Sequence, residues 1–373
     1  MNGSKANYWD YIRVEDLLQM QNGIDSSEAN LSNDEVRFIV IHQIDELWFK
    51  LVLRELVTAR DLFAKSHVPE DALSGAAQSL KRITMCFEMA AQHFRLMETM
   101  GTQDYLKFRD KLNPASGFQS AQMREVEVLM GLAADDRIPF GKEGSYLEAL
   151  KSHDGSPSPA HARVARRIAD TPTLKEAVHQ WLYRTPIQGS VPGDKDDDAT
   201  VEAWATNYYK GHEQLHERAL QHAVAVQALA KDDEERLRER YRGQLRSAQR
   251  HLAAEDVPAA EQTFTKRLRA ALLFVDSNRE LPLLSWPGQI IDGLIECEQA
   301  SLVFRQRHAR MVERVIGRRV GTGGSDGVDY LDQTALKYRV FTEIWSARTM
   351  LLPKDLCPEI KDRGYYGLAK ELD

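Results

Sequence analysis

A chain of 373 residues with 43% apolar and 28% charged side chains has the composition of a globular protein with a sizeable core, and not that of a disordered tail or a fibre. A formal net charge of −7 gives no general reason to expect nucleic acid or an anionic membrane as partner, and no apolar run is long enough to span a bilayer. The three cysteines, Cys86, Cys297 and Cys357, stand far apart and form no CxxC pair, which suits a reducing cytosol and argues against a thiolate cluster or a disulfide framework.

The first residues lack a positive region followed by an apolar one, so no signal peptide is expected. Within the first thirty, NYWDYIRVEDLLQMQ reads as a short amphipathic helix. Its Tyr8, Trp9 and Tyr11 need a surface to dock on, either this chain's own core or a neighbouring subunit. Ser32 to Glu35 makes a capping box that opens a helix reaching about Phe63, on which Phe38, His42, Asp45 or Glu46, and Phe49 share a stripe. His42 and Glu46 have the spacing of a metal-ligand pair, but no third ligand is close and their neighbours read as core. His42 therefore reads as a histidine held for a hydrogen bond. A second long helix covers 70–100 and ends at Gly101. Thr102 then caps a helix, QDYLKFRDKL, with Tyr105 and Arg109 on one face: either a carboxylate clamp or a surface arginine beside Asp110.

Asn113 to Gly117 breaks that helix, and FQSAQMREVEVLMGL resumes one. From 134 to 200, Pro, Gly, Ser and Asp accumulate around one short helical piece, TLKEAVHQWLYR. The stretch reads as an irregular insertion, and no structure is assigned to its acidic run, Asp194 to Asp198. Three helical patterns follow before a long helix with Ser285 as N-cap, Pro287 in its first turn and Gly317 closing it. It carries His308, with Phe304 one turn before and Met311 and Val312 one turn after. That apolar setting suits an axial haem ligand, and equally a hydrogen-bonded core histidine. The arginines from Arg305 to Arg319 read as charge compensation at the helix end, and a nucleic-acid role is set aside because the chain is acidic overall. A glycine-rich loop, GTGGS, leads to a last helix stopped by Pro353. Period-2 alternation is nearly absent, so the fold class is all-α, a bundle of long helices. The expected organisation is a single domain over 1–373, with an N-terminal helical arm at 1–30 and the insertion at 134–200.

Three strings, FIVIHQIDELWFK, YLKFRDKLNPASGFQSAQMR and RHARMVERVIGRRVGTGGSDGV, resemble the tryptophan 2,3-dioxygenase family, in that family's order. The resemblance implies an all-α bundle enclosing haem b, ferrous in the active form, with O2 as co-substrate. The implied activity is cleavage of the indole C2–C3 bond of L-tryptophan to give N-formyl-L-kynurenine. By resemblance, His308 is the axial ligand of the haem iron, and Ser116 and Gly117 line the distal side of the haem. His42 hydrogen-bonds the indole N–H, Phe38 walls the ring, and Arg109, with Tyr105 beside it, takes the substrate carboxylate. Thr322 meets the ammonium and carboxylate. Tyr8 and Tyr11 match a pair that a neighbouring subunit contributes to the pocket of a cytoplasmic homotetramer. Asp45, Phe94 and Phe304 depart from the family's common residues. Two alternatives stay open at this point: a relative acting on a modified tryptophan, as a monooxygenase, and a non-enzymatic helical scaffold.

Overall fold

The computed structural model describes residues 7–24, 27–139, 146–152, 154–227, 231–322 and 327–367. It is all-α: the described residues form helices and 3-10 turns, with two isolated β-bridges, Lys151 to Pro157 and Ile187 to Ser190. In chain order the helices are α1 (Tyr8–Ile12), α2 (Val14–Leu17), α3 (Asn33–Phe63), α4 (Glu70–Met97), α5 (Thr102–Leu106), α6 (Ala121–Met130), α7 (Pro159–Ala169) and α8 (Leu174–Tyr183). They continue as α9 (Asp197–Gln227), α10 (Lys231–Leu252), α11 (Ala259–Ser277), α12 (Pro282–Ile316), α13 (Val328–Lys337) and α14 (Thr342–Met350).

Local chemistry sets most of these ends. The Ser32 hydroxyl accepts from the Glu35 backbone N–H at 3.1 Å and starts α3, while the Glu35 carboxylate turns to Lys111 at 3.2 Å. Gly317, at φ 64°, closes α12 in the left-handed region that costs glycine nothing. The start of α12 lies one turn earlier than expected: Pro282 takes the first helical position and Pro287 sits inside the helix. The expected helix from Gln103 to Leu112 is instead α5 followed by a 3-10 turn, Arg109–Leu112. Among the described residues of the 134–200 stretch two helices, α7 and α8, form where one was expected, and α9 begins. Ser158 caps α7 with Pro159 at its first position, and Thr173 with Glu176 makes a complete capping box for α8. The acidic run is the entry to α9, where the buried Asp197 takes Arg267 Nη1 at 2.7 Å.

The chain divides into two compact units. The first comprises Met1–Val57, Arg82–Thr171 and Cys297–Val340. Its core is built on aromatic rings: Phe304 lies 5.6 Å from Phe49, 6.0 Å from Phe87 and 5.3 Å from Phe94. There α7 packs on α6, with Ala121, Leu150 and Val164 buried together. The second comprises Thr58–Lys81, Pro172–Glu296 and Phe341–Asp373. In it α11 is the central element, packed on α8, α9, α10 and α14, with every residue from Leu268 to Ser277 buried. Its Arg269 holds Asp256 and Glu343 together, each at 2.6 Å.

Candidate active site

The first unit encloses a cavity of about 510 Å³, within the size range of a ligand or cofactor pocket. The α3 stripe supplies one wall, because helical spacing brings Phe38, His42, Asp45 and Phe49 to the same face. The His42 ring packs on Phe38 with centroids 4.1 Å apart, and its Nδ1 lies 2.7 Å from the Phe38 carbonyl oxygen. A carbonyl can only accept, so Nδ1 carries the proton and Nε2 keeps its lone pair. Burial lowers the pKa of His42 and keeps the ring neutral, against the pull of the Phe38 carbonyl and Glu46.

The facing wall is α12 with the end of α4. His308 lines the cavity, stacked on Phe94 at 5.3 Å and on Phe304 at 6.4 Å. Desolvation, then His42 and Arg305, push its pKa down to about 4, so the imidazole is neutral at any physiological pH. Neither ring nitrogen has a hydrogen-bond partner among the described residues. His308 is half-buried and lines the cavity. The remaining lining comes from Ser116 and Gly117 in the loop before α6, from Gly321 and Thr322 after α12, and from α13. Thr322 ties two of these loops together, its hydroxyl donating to the Ala115 carbonyl at 2.6 Å. The polar end is made by Arg124 and Arg305. Both line the cavity and both bind the buried Glu127, at 3.0 and 2.7 Å, with Arg137 also on it at 2.7 Å. Burial alone would raise the Glu127 pKa, but the three guanidiniums, Arg124 foremost, hold it down at about 2.

The profile of the family described as tryptophan 2,3-dioxygenase matches residues 1–351. A tryptophan 2,3-dioxygenase of Sorangium cellulosum is 54% identical over 98% of this chain and 88% of its own length. The protein named tryptophan 2,3-dioxygenase 2 of Ralstonia nicotianae is 49% identical over 98% of both. This chain belongs to the tryptophan 2,3-dioxygenase family. A tryptophan 2,3-dioxygenase-like protein of Xanthomonas campestris is 46% identical over 73% of this chain and 99% of its own length.

The structure gathers most of the residues expected from the family around the one cavity: Phe38, His42, Tyr105, Ser116, Gly117, Thr322 and His308 all line it. Arg109 does not. It lines a second cavity of about 440 Å³ with Gly321 and Thr322, which line both, and its Nη2 donates to the Val320 carbonyl at 2.7 Å. Arg109 Nε is buried without a partner, while the guanidinium hydrogen-bonds the Tyr105 hydroxyl. Of GTGGS, Gly323 to Ser325 lie outside the described residues. Tyr8 and Tyr11 sit on α1 with 72% and 81% of their surface exposed, away from this chain's cavity. The charge cluster around Glu127 was not singled out in the sequence. Its (i,i+3) partner Arg124 is visible there, but Arg137 and Arg305 are brought in only by folding.

The residues present fit a haem by their donor chemistry. His308 offers a neutral imidazole with a ring nitrogen free to bind iron, set against the Phe94 and Phe304 rings, which suits an axial ligand. Elsewhere in the lining Arg124 and Arg305 share the buried Glu127 with Arg137 behind them, and Arg124 Nε is buried without a partner, a donor set suited to a further carboxylate.

Proposed function

We infer that this chain carries out the reaction of its family, the oxidative opening of the indole C2–C3 bond of L-tryptophan by O2 to N-formyl-L-kynurenine, with haem b held by His308. The observation that carries this reading is the pair of neutral histidines that two different helices bring to one cavity: a partnerless imidazole on α12 and a bare Nε2 on α3. Ferrous haem, when bound, supplies the activation of dioxygen that no side chain can provide.

The chain's own residues then orient and polarise. His42 Nε2 accepts from the indole N–H and fixes the ring in place. That N–H is a very weak acid, so His42 positions it and does not need to remove its proton. Phe38 flanks the ring. The zwitterionic end belongs to Arg109, Tyr105 and Thr322, which meet where the two cavities share their lining. Arg109 leaves or shares the Val320 carbonyl to take the substrate carboxylate with its fork of donors. Arg124 and Arg305 take the haem propionates, and Ser116 and Gly117 line its distal side.

The proposal also covers assembly. The exposed Tyr8 and Tyr11 enter the pocket of a neighbouring subunit in a homotetramer. The outward-facing Leu47 and Leu51 on α3 and Met85 and Met89 on α4 support such an assembly, because large apolar side chains at helical spacing seek cover. The whole chain acts as one haem dioxygenase domain in the cytoplasm. No helix among the described residues is long and apolar enough to cross a membrane.

The test is product mass from reduced, haem-loaded protein given L-tryptophan and isotopically labelled O2. Two labelled oxygens in one kynurenine-type product are expected. One labelled oxygen, or turnover confined to a substituted tryptophan, would overturn the reading.

A further inference from the structure

Asp45 is a carboxyl in the wall of the cavity, one helical turn from His42, and only 7% exposed. Across from it, on α4, stands His93, immediately before the Phe94 that stacks on His308. His93 Nδ1 lies 3.6 Å from Asp45 Oδ1, too far for a direct hydrogen bond and close enough for one water or a small movement to join them. Both atoms are buried without a hydrogen-bond partner, and so is Trp48 Nε1, whose ring lies 6.3 Å from that of His93. Three unsatisfied polar atoms in so small a volume mark a site built for something exchangeable, since an unpaired buried polar atom otherwise costs free energy for no return. The His93 side chain keeps 25% of its surface in contact with solvent and Asp45 only 10%, so the pair leads from outside to the cavity.

We propose that Asp45 and His93 share one exchangeable proton at the cavity wall and so set the electrostatic potential felt by the bound haem. Holding the proton, on either residue, the pair has no net charge; without it, the pair carries −1. Burial first, and the neighbouring Glu46 second, raise the Asp45 pKa to about 7, while burial lowers that of His93. The other charged or titratable groups facing the cavity among the described residues are Glu46 and His42 on α3, Arg124 on α6, Arg305 and His308 on α12, and the phenols of Tyr105 on α5 and Tyr330 on α13, which burial keeps protonated. Glu46 accepts from Gln122 at 2.7 Å, the histidines are held neutral, and the arginines keep their charge throughout, so the pair is the group whose charge changes near neutral pH.

A carboxylate in the cavity wall opposes the added electron of ferrous haem. The midpoint potential of the wild type should therefore fall as pH rises through neutrality. Asp45→Asn should hold the higher, acid-limb value across that range, and equal slopes in the two proteins would overturn the proposal. The inference rests on haem occupying the cavity, so a second readout is independent of it. Infrared difference spectra of the haem-free protein titrated through neutral pH should show one proton leaving the Asp45 carboxyl or the His93 ring, a transition that Asp45→Asn moves out of that range; no such transition would also overturn it. Should Asp45→Asn fail to fold, His93→Gln serves, because losing one of the two proton sites should move the infrared transition to lower pH. An unmoved transition would exclude His93 from the pair. Failure of the protein to bind haem while the infrared transition persists would refute the proposed function and leave the shared proton standing.

Discussion

The Glu127 carboxylate shows how much a single side chain controls here. Its pKa, about 2 against an ordinary 4.5, is depressed in the folded state, so its contribution to stability is complete above 4.5 and lost as pH falls from there towards 2. The shift corresponds to something on the order of 3 kcal/mol. Glu127→Gln should cost about 3–5 kcal/mol, because three buried guanidiniums then face one another without a counter-charge. Thermal melts at neutral pH and at pH 3 check both points: a large gap between variant and wild type at neutrality that narrows in acid. His308→Ala should abolish stable haem binding, read from the Soret absorbance, and a full haem complement in that variant would remove the ligand assignment. Arg109→Ala should raise KM for L-tryptophan roughly 10- to 100-fold, the worth of a charged hydrogen bond, with kcat less affected. At this scale the sequence was partly readable. His42 and His308 stand out as lone histidines on apolar helix faces, whereas the meeting of Glu127 with an arginine 178 positions away left no local trace.

At the scale of elements, capping chemistry and composition competed. The 134–200 stretch is rich in residues that end helices, and that composition suggested an irregular insertion. Yet those residues sit at the helix boundaries: Ser158 and Pro159 start α7, Thr173 and Glu176 start α8, and Asp197 starts α9. Between the boundaries Val164, Leu174 and Val178 are wholly buried. The Thr-x-x-Glu spacing was a legible signal, while the acidic run hid its role because its partner, Arg267, comes from α11. A close approach of backbones is equally invisible in sequence. Gly211 sits inside α9, where alanine would ordinarily be the better helix former. A Cβ there would meet the Leu356 carbonyl oxygen at 2.5 Å and Leu352 Cδ1 at 2.6 Å. Gly211→Ala should therefore lower the melting temperature, by an amount equivalent to about 1–3 kcal/mol. A neutral or stabilising result would mean that the 352–356 segment can retreat.

For the molecule as a whole, the arm is the element with the clearest consequence. If α1 serves a neighbour, a Tyr8→Phe/Tyr11→Phe chain and an Arg109→Ala chain, each weak alone, should recover activity when co-expressed. Sites with an intact Arg109 can then receive an intact arm from the other chain. No recovery beyond the sum of the two would confine each arm to its own subunit. The 510 Å³ cavity carries a different implication. If haem fills it, as proposed, each mole bound adds its binding free energy to folding, because the unfolded chain has no such hollow to fill. The empty protein is then the fraction that opens most often and meets proteases first. A cell short of haem would accordingly hold fewer copies of this chain, with no change in its transcription or translation.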